Sequence, residues 1–299
     1  VLAVSVMAEQ AGLYIGTSGW SYPKGEGTWS GYFYPNGKID ELSYYSQYFN
    51  TVEINSSFYR PPNPGYVYNW TRKVPPGFLF SVKLWQKFTH PKMFSEATGS
   101  DAAISLADID IFKKSIEPLV KSGKMGVLLA QFPPSFKNDD FSRQILRAVI
   151  KAFSEYRLAI ELRHRSWSDD PNTAKLLAEG NACWVQIDEP RFESSIARQL
   201  PLTSDTAYFR FHGRNAEKWW RGDSETRYKY LYSAEEIKEL AQKVAAVNQK
   251  AKLTFAFFNN HWQGYAPRNA INMIKALKLP VKEPPVQPTL YDESIDEGY

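Results

Sequence analysis

A single cysteine, Cys183, in 299 residues rules out an internal disulfide and a multi-cysteine zinc site. Packing must therefore hold the fold, and a reducing, cytoplasmic compartment is expected. Histidine is scarce too. His90, His164, His212 and His261 show no HxH or HExxH spacing, so no histidine-rich metal cluster is expected. No run of about eighteen apolar residues occurs, which removes a membrane-spanning helix and a membrane partner. Charge of one sign is also lacking: 36 basic against 32 acidic side chains leave a formal +4, which forces no polyanionic partner.

What the chain has in abundance is aromatic surface, with 9 Trp, 18 Tyr and 18 Phe making 15% of the residues. Core packing accounts for most of it; a ring-lined cleft that stacks sugars or bases is the sharper reading. With 43% hydrophobic and 23% charged residues, the composition is that of a globular protein with a large core. Residues 1–12 read as a disordered leader, with Met7 a candidate initiator, and 280–299 as a Pro-rich acidic tail. One domain is expected over 13–279.

Short β-rich runs fall at 13–18, 51–55, 78–85, 125–131, 157–163, 182–188, 207–212 and 253–260. Helical patterns lie between them at 40–49, 64–73, 104–121, 140–155, 170–179, 233–250 and 266–278, while 189–206 is not clearly helical. Eight strand and helix units in this length predict an α/β fold, a closed (β/α)8 TIM-type barrel. An open doubly wound sheet is the alternative. It is disfavoured because Gly16-Thr17-Ser18-Gly19-Trp20 lacks the dinucleotide spacing and leads into a long loop rather than a helix.

In a barrel strand the parity carrying large apolar residues faces the helices, so the other parity faces inward. That rule turns Glu53 and Asn55, Ser81, Lys83 and Trp85, Glu161 and Arg163, and Tyr208, Arg210 and His212 inward. It adds Ser18, Gln131, Gln186 with Asp188, and Asn260, so every strand offers a polar group at its C-terminal end, where barrel active sites sit. Unpaired buried charge costs several kcal/mol, so the ring of Glu53, Glu161, Asp188, Lys83, Arg163 and Arg210 must be mutually paired or open to a ligand.

The segments YIGTSGWSY (14–22), TVEINSSFYRPP (51–62), FSVKLWQKFTH (80–90), ELRHRSW (161–167), YFRFHGRN (208–215), RYKYLYS (227–233) and FAFFNNHWQGYAPRNA (255–270) together resemble the YecE-like family, domain of unknown function 72. The resemblance spans about Leu13 to Lys278 and does not reach the leader or the tail. It implies a TIM-type barrel and no established activity.

The leading functional expectation is a metal-independent acid/base enzyme acting on a small hydroxylated or anionic substrate. Glu53 and Glu161 exchange protons, His212 assists near neutral pH, and Lys83 polarises an oxygen. A salt bridge to Lys83 is the bland role for Glu53. Carboxylates beside Lys83 should keep its ammonium charged, which ranks covalent amine chemistry lower. Arg163 and Arg210 clamp an anion, and Ser18, Trp20, Asn55, Tyr59, Trp85, Gln131, Asp188, Asn259 and Asn260 complete the binding set. The loop 213–232, with Trp219, Trp220, Arg221, Arg227 and Lys229, is a candidate lid. No cofactor is implied. Two alternatives remain: a nucleic-acid-binding or metal-dependent phosphodiester-cleaving protein, and a noncatalytic small-ligand binder.

Overall fold

The structure, a computed structural model, describes residues 12–101, 103–219 and 226–285. Most of the expected leader and tail lies outside them. The strands are β1 Leu13–Thr17, β2 Thr51–Ile54, β3 Leu79–Lys83, β4 Met125–Gln131, β5 Leu158–Glu161, β6 Ala182–Trp184, β7 Gln186–Asp188, β8 Thr206–Phe211 and β9 Leu253–Phe258. They form two sheets, ordered β1-β9-β8-β7 and β2-β3-β4-β5-β6, and every pairing is parallel. Parallel strands alternating with helices make an α/β fold consistent with a TIM-like domain.

The sheets meet at two junctions. The run 182–188 is interrupted at Val185, whose N–H donates to Ile160 O at 3.0 Å. Its first half pairs with β5 and its second half with β8, so one extended segment belongs to both sheets. At the other junction side chains stand in for a backbone ladder. Asn50 accepts from Ile15 N at 3.1 Å and donates to Leu13 O at 3.0 Å, while the Tyr45 hydroxyl accepts from Thr17 N and donates to Thr51 O. Gly16 is required here because a Cβ would fall 2.1 Å from Thr51 O. Replacing Asn50 with Leu leaves a buried N–H and a buried carbonyl unpaired, with an expected cost of about 1–3 kcal/mol in denaturant unfolding. Unchanged stability would contradict the bridging role.

The helices start where the sequence supplies caps. Asp40 and Asp139 accept from Ser43 N and Ser142 N, and Asn63 precedes Pro64 at the first helical turn. Ser105 with Asp108, and Ser233 with Glu236, form capping boxes. Short helices at Gln86–Thr89, Pro91–Thr98 and Arg165–Ser168 were not expected; at four to eight residues they carry too little period to be read. The crossover from β7 to β8 contains no helix, as its sequence suggested.

Two apolar layers result. Outward residues such as Val52, Phe80, Val82 and Ile160 pack with the helices. Tyr14, Val127, Leu129, Ala159, Cys183, Val185, Tyr208, Phe255 and Phe257 form a separate inner cluster. Burial there pushes the Cys183 thiol up to about 12, so it behaves as a small hydrophobe.

Candidate functional site

Above the inner cluster, at the C-terminal ends of the strands, the inward polar residues converge. Arg210 on β8 holds the group together. Its Nε and Nη2 donate to the two Glu53 oxygens at 3.0 and 2.7 Å, and its Nη1 donates to Glu161 at 2.6 Å and reaches Gln131 at 3.5 Å. Tyr208 O–H donates to Glu53 at 2.7 Å. Arg163 continues the chain, with Nε 2.8 Å from Glu161 and Nη1 3.4 Å from Glu189. Glu53, Glu161 and His212 are 0% exposed and Arg210 is 1% exposed. Ion pairs so fully desolvated persist only with bidentate geometry of this kind.

Charge state follows from that pairing. Burial alone would raise the Glu161 carboxyl, but Arg210 and Arg163 hold it well below the usual carboxylate range. It is a fixed anion rather than the proton exchanger expected. His212 is pushed down to about 3 by burial and by Arg210, so it is neutral and does not titrate near neutrality. Its Nδ1 lies 3.0 Å from Asn259 Nδ2, and its Nε2 faces Arg163 and Glu161. Glu189 differs from Glu161, because burial raises it against the pull of Arg163.

Lys83 departs furthest from expectation. Glu53 and Glu161 are taken by the two arginines, and the Lys83 ammonium instead sits 4.1 Å from the Phe58 ring centroid. Burial first, then Arg210, lowers it to about 7. The bland expectation of a Glu53–Lys83 salt bridge is not met, nor is the expectation that carboxylates keep this amine charged. Phe58 is placed by the turn Ser56–Phe58, where the Ser57 hydroxyl lies within hydrogen-bonding distance of both Ile54 O and Lys83 O and ties the ends of β2 and β3 together.

Around this group Ser18 Oγ and Asn55 Oδ1 are buried without a hydrogen-bond partner among the described residues. Ser18 is bridged to Glu53 across the junction of β1 and β2. An aromatic rim adjoins them: Tyr22 stacks on His261 at 4.7 Å, Tyr228 lies 5.2 Å from His261, and Trp219 and Tyr228 each lie 6.2 Å from the His212 ring. Of the candidate lid, Trp220 and Arg221 lie outside the described residues.

Several expected members go elsewhere. Asp188 and Gln186 face outward, in register with Phe211 and Phe209. Asp188 is bound by Arg214 at 2.7 Å and by Tyr232, and Glu189, one residue on, takes its place in the charged chain. Asn260 also points outward, to Tyr230 O and Asn269. Trp20 packs edge-on against Trp70 and Phe80 on the helix side. Tyr59 is 69% exposed, and Trp85 packs against Phe88 and Phe94. Glu189 and Phe58 were missed. The parity of Cys183, Val185 and Ile187 would have found Glu189 had those three been read as inward. Among the described residues no group of three or more His, Cys, Asp or Glu is placed to hold a metal ion, and no helix is long and apolar enough to cross a membrane.

A family model described as a protein of unknown function, DUF72, matches residues 14–292. The match extends past Leu279, where the resemblance had been expected to stop; there Lys282 reaches Gln47 and Glu283 pairs with Lys275. The chain is 30% identical over 281 residues to the UPF0759 protein YunF of Bacillus subtilis, covering 89% of this chain and 95% of that protein. A DUF72 family protein of Thermotoga maritima with a solved structure is 37% identical, with a TM-score of 0.77 over 89% of this chain and 99% of that one. One from Enterococcus faecalis is 28% identical, with a TM-score of 0.77 over 94% and 100%.

Proposed function

The chain belongs to the DUF72 family, and from that premise and the geometry of the site we propose a metal-independent acid/base enzyme whose proton-transferring group is the Lys83 amine. In this reading the strands close into a (β/α)8 barrel through the segment 182–188 and the Ser18–Glu53 bridge, and the site is its C-terminal mouth. The observation that carries the proposal is that, among the described residues, Lys83 is the inward cation without a carboxylate partner while Arg163 and Arg210 absorb the acidic groups.

The substrate class follows from the groups at the edge of the platform. Arg163 is paired with Glu161 and Glu189 but keeps 10% of its side chain exposed and can share its charge with an anionic end, whereas Arg210 is enclosed. Ser18 and Asn55 offer unsatisfied oxygens to substrate hydroxyls. A small hydroxylated carbonyl compound with a carboxylate or phosphate suits this set. The neutral amine takes the proton from the carbon next to the carbonyl, and the resulting ammonium returns it.

In D2O, a panel of small hydroxy-aldehydes, hydroxy-ketones and their acids and phosphates should include a compound whose α-carbon proton exchanges under catalysis, followed by NMR. Lys83→Met should slow that exchange about 100-fold or more. Absence of exchange across the panel, or exchange indifferent to Lys83→Met, would overturn the proposal. Saturable binding without exchange would make the protein a ligand sensor instead.

A further inference from the structure

No helix connects β7 to β8 among the described residues, and the outward face of those strands lies between the helix Ala234–Asn248 and the irregular crossover segment around Leu200. A cavity of about 480 Å³ opens there. Leu200, Phe209, Phe211, Leu240 and Val247 give it an apolar floor. The Gln186 side-chain amide fixes one wall by donating to Leu200 O at 2.8 Å and accepting from Leu200 N at 3.2 Å. The volume is that of a small-molecule site.

Its rim is cationic in a particular way. Arg214 is engaged by Asp188 and Glu236, and Lys243 by Glu239. Arg191 and Arg198, both exposed at the edge of the cavity, make neither an ion pair nor a hydrogen bond among the described residues. They lie close enough that, after burial, Arg198 is the leading charge lowering Arg191. Acids stand nearby, Glu189 and Asp188 around Arg191 and Glu239 around Arg198, but none is in ion-pair contact with either guanidinium among the described residues. The two cations repel one another, and an anion between them relieves that repulsion. Glu189 lines the cavity while pairing with Arg163, so it forms the wall between this trough and the charged chain at the strand ends.

We propose that this trough is a second binding site, for an acidic amphiphile: a carboxylate head held by Arg191 and Arg198, and an apolar body of about ten to twelve carbons laid on Phe209, Phe211 and Val247. The site is independent of the Lys83 chemistry, since neither arginine touches that group.

Calorimetric titration of the full chain with dodecanoate below its micellar concentration tests it. One molecule per chain is expected to bind, with affinity falling as salt is raised. The double variant Arg191→Gln, Arg198→Gln should bind at least about tenfold more weakly, and Val247→Trp, which fills the trough, should abolish binding. Dodecyltrimethylammonium, with the same body and the opposite head, should bind at least about tenfold more weakly than dodecanoate. Circular dichroism confirms that each variant is folded, and if the tryptophan variant unfolds, the arginine variant decides alone. No saturable binding of dodecanoate, binding unaffected by the arginine substitutions, or equal binding of the cationic amphiphile would overturn the proposal.

Discussion

Replacing Arg210 with methionine is expected to destabilise the fold by about 3–5 kcal/mol at pH 8, and by clearly less at pH 5. Arg210 contacts Glu53 through two nitrogens and Glu161 through a third, all within 3.0 Å, and none of the three side chains sees solvent. Its removal leaves one buried carboxylate with Tyr208 as its named donor and the other with Arg163. The sign of the pH effect follows from linkage. Without the guanidinium, the largest charge holding the Glu161 carboxyl down is gone, and burial pushes that carboxyl up. The stability of such groups is fully present at low pH, where both states are protonated, and is lost as pH rises through the folded-state values. Urea unfolding at the two pH values measures this. Adding Glu53→Gln and Glu161→Gln to the variant should recover much of the loss at pH 8, since neutral amides carry no charge to desolvate. Equal destabilisation at both pH values would mean that the arginine acts by packing alone.

Lys83→Met should separate stability from activity. The folded-state pKa of about 7 lies below the ordinary lysine value of 10.5, so at neutral pH the unfolded chain binds the proton more tightly than the folded one. Between those two values the wild-type protein gains stability as pH rises. Methionine removes the buried amine, keeps most of the volume and retains contact with Phe58. The variant is expected to be more stable than the parent by about 2 kcal/mol at pH 7, with the advantage shrinking toward pH 10, while proton exchange on substrate disappears. A variant less stable than the parent at pH 7 would indicate that Lys83 is a paired structural cation.

Much of this was legible in the chain. Alternation of large apolar residues located Glu53, Glu161, Lys83, Gln131 and Arg210 on one face, because helices cover the outward positions of their strands and demand hydrophobic side chains there. The same rule failed at 182–188 for a physical reason. Among the described residues the crossover after β7 contains no helix to pack on that strand, so its outward positions need not be apolar, and Gln186 and Asp188 are polar residues facing out. Asn260 misled differently: it lies outward yet buried, its polarity spent on Asn269 and on the carbonyl of Tyr230. Partner choice was not legible at all. Lys83 lies on the strand next to Glu53, but the planar guanidinium of Arg210, reaching across from β8, binds two carboxylates at once, which an ammonium cannot do with the same geometry.

The titration of Lys83 itself tests the account most directly. With lysines reductively methylated with 13C-formaldehyde, and the Lys83 resonance assigned by its absence in Lys83→Arg, the NMR shift followed from pH 5 to 11 should give a midpoint near 7. A midpoint at or above the ordinary value of 10.5 would show an ammonium paired with the carboxylates after all, and would contradict the amine as the working group of the site.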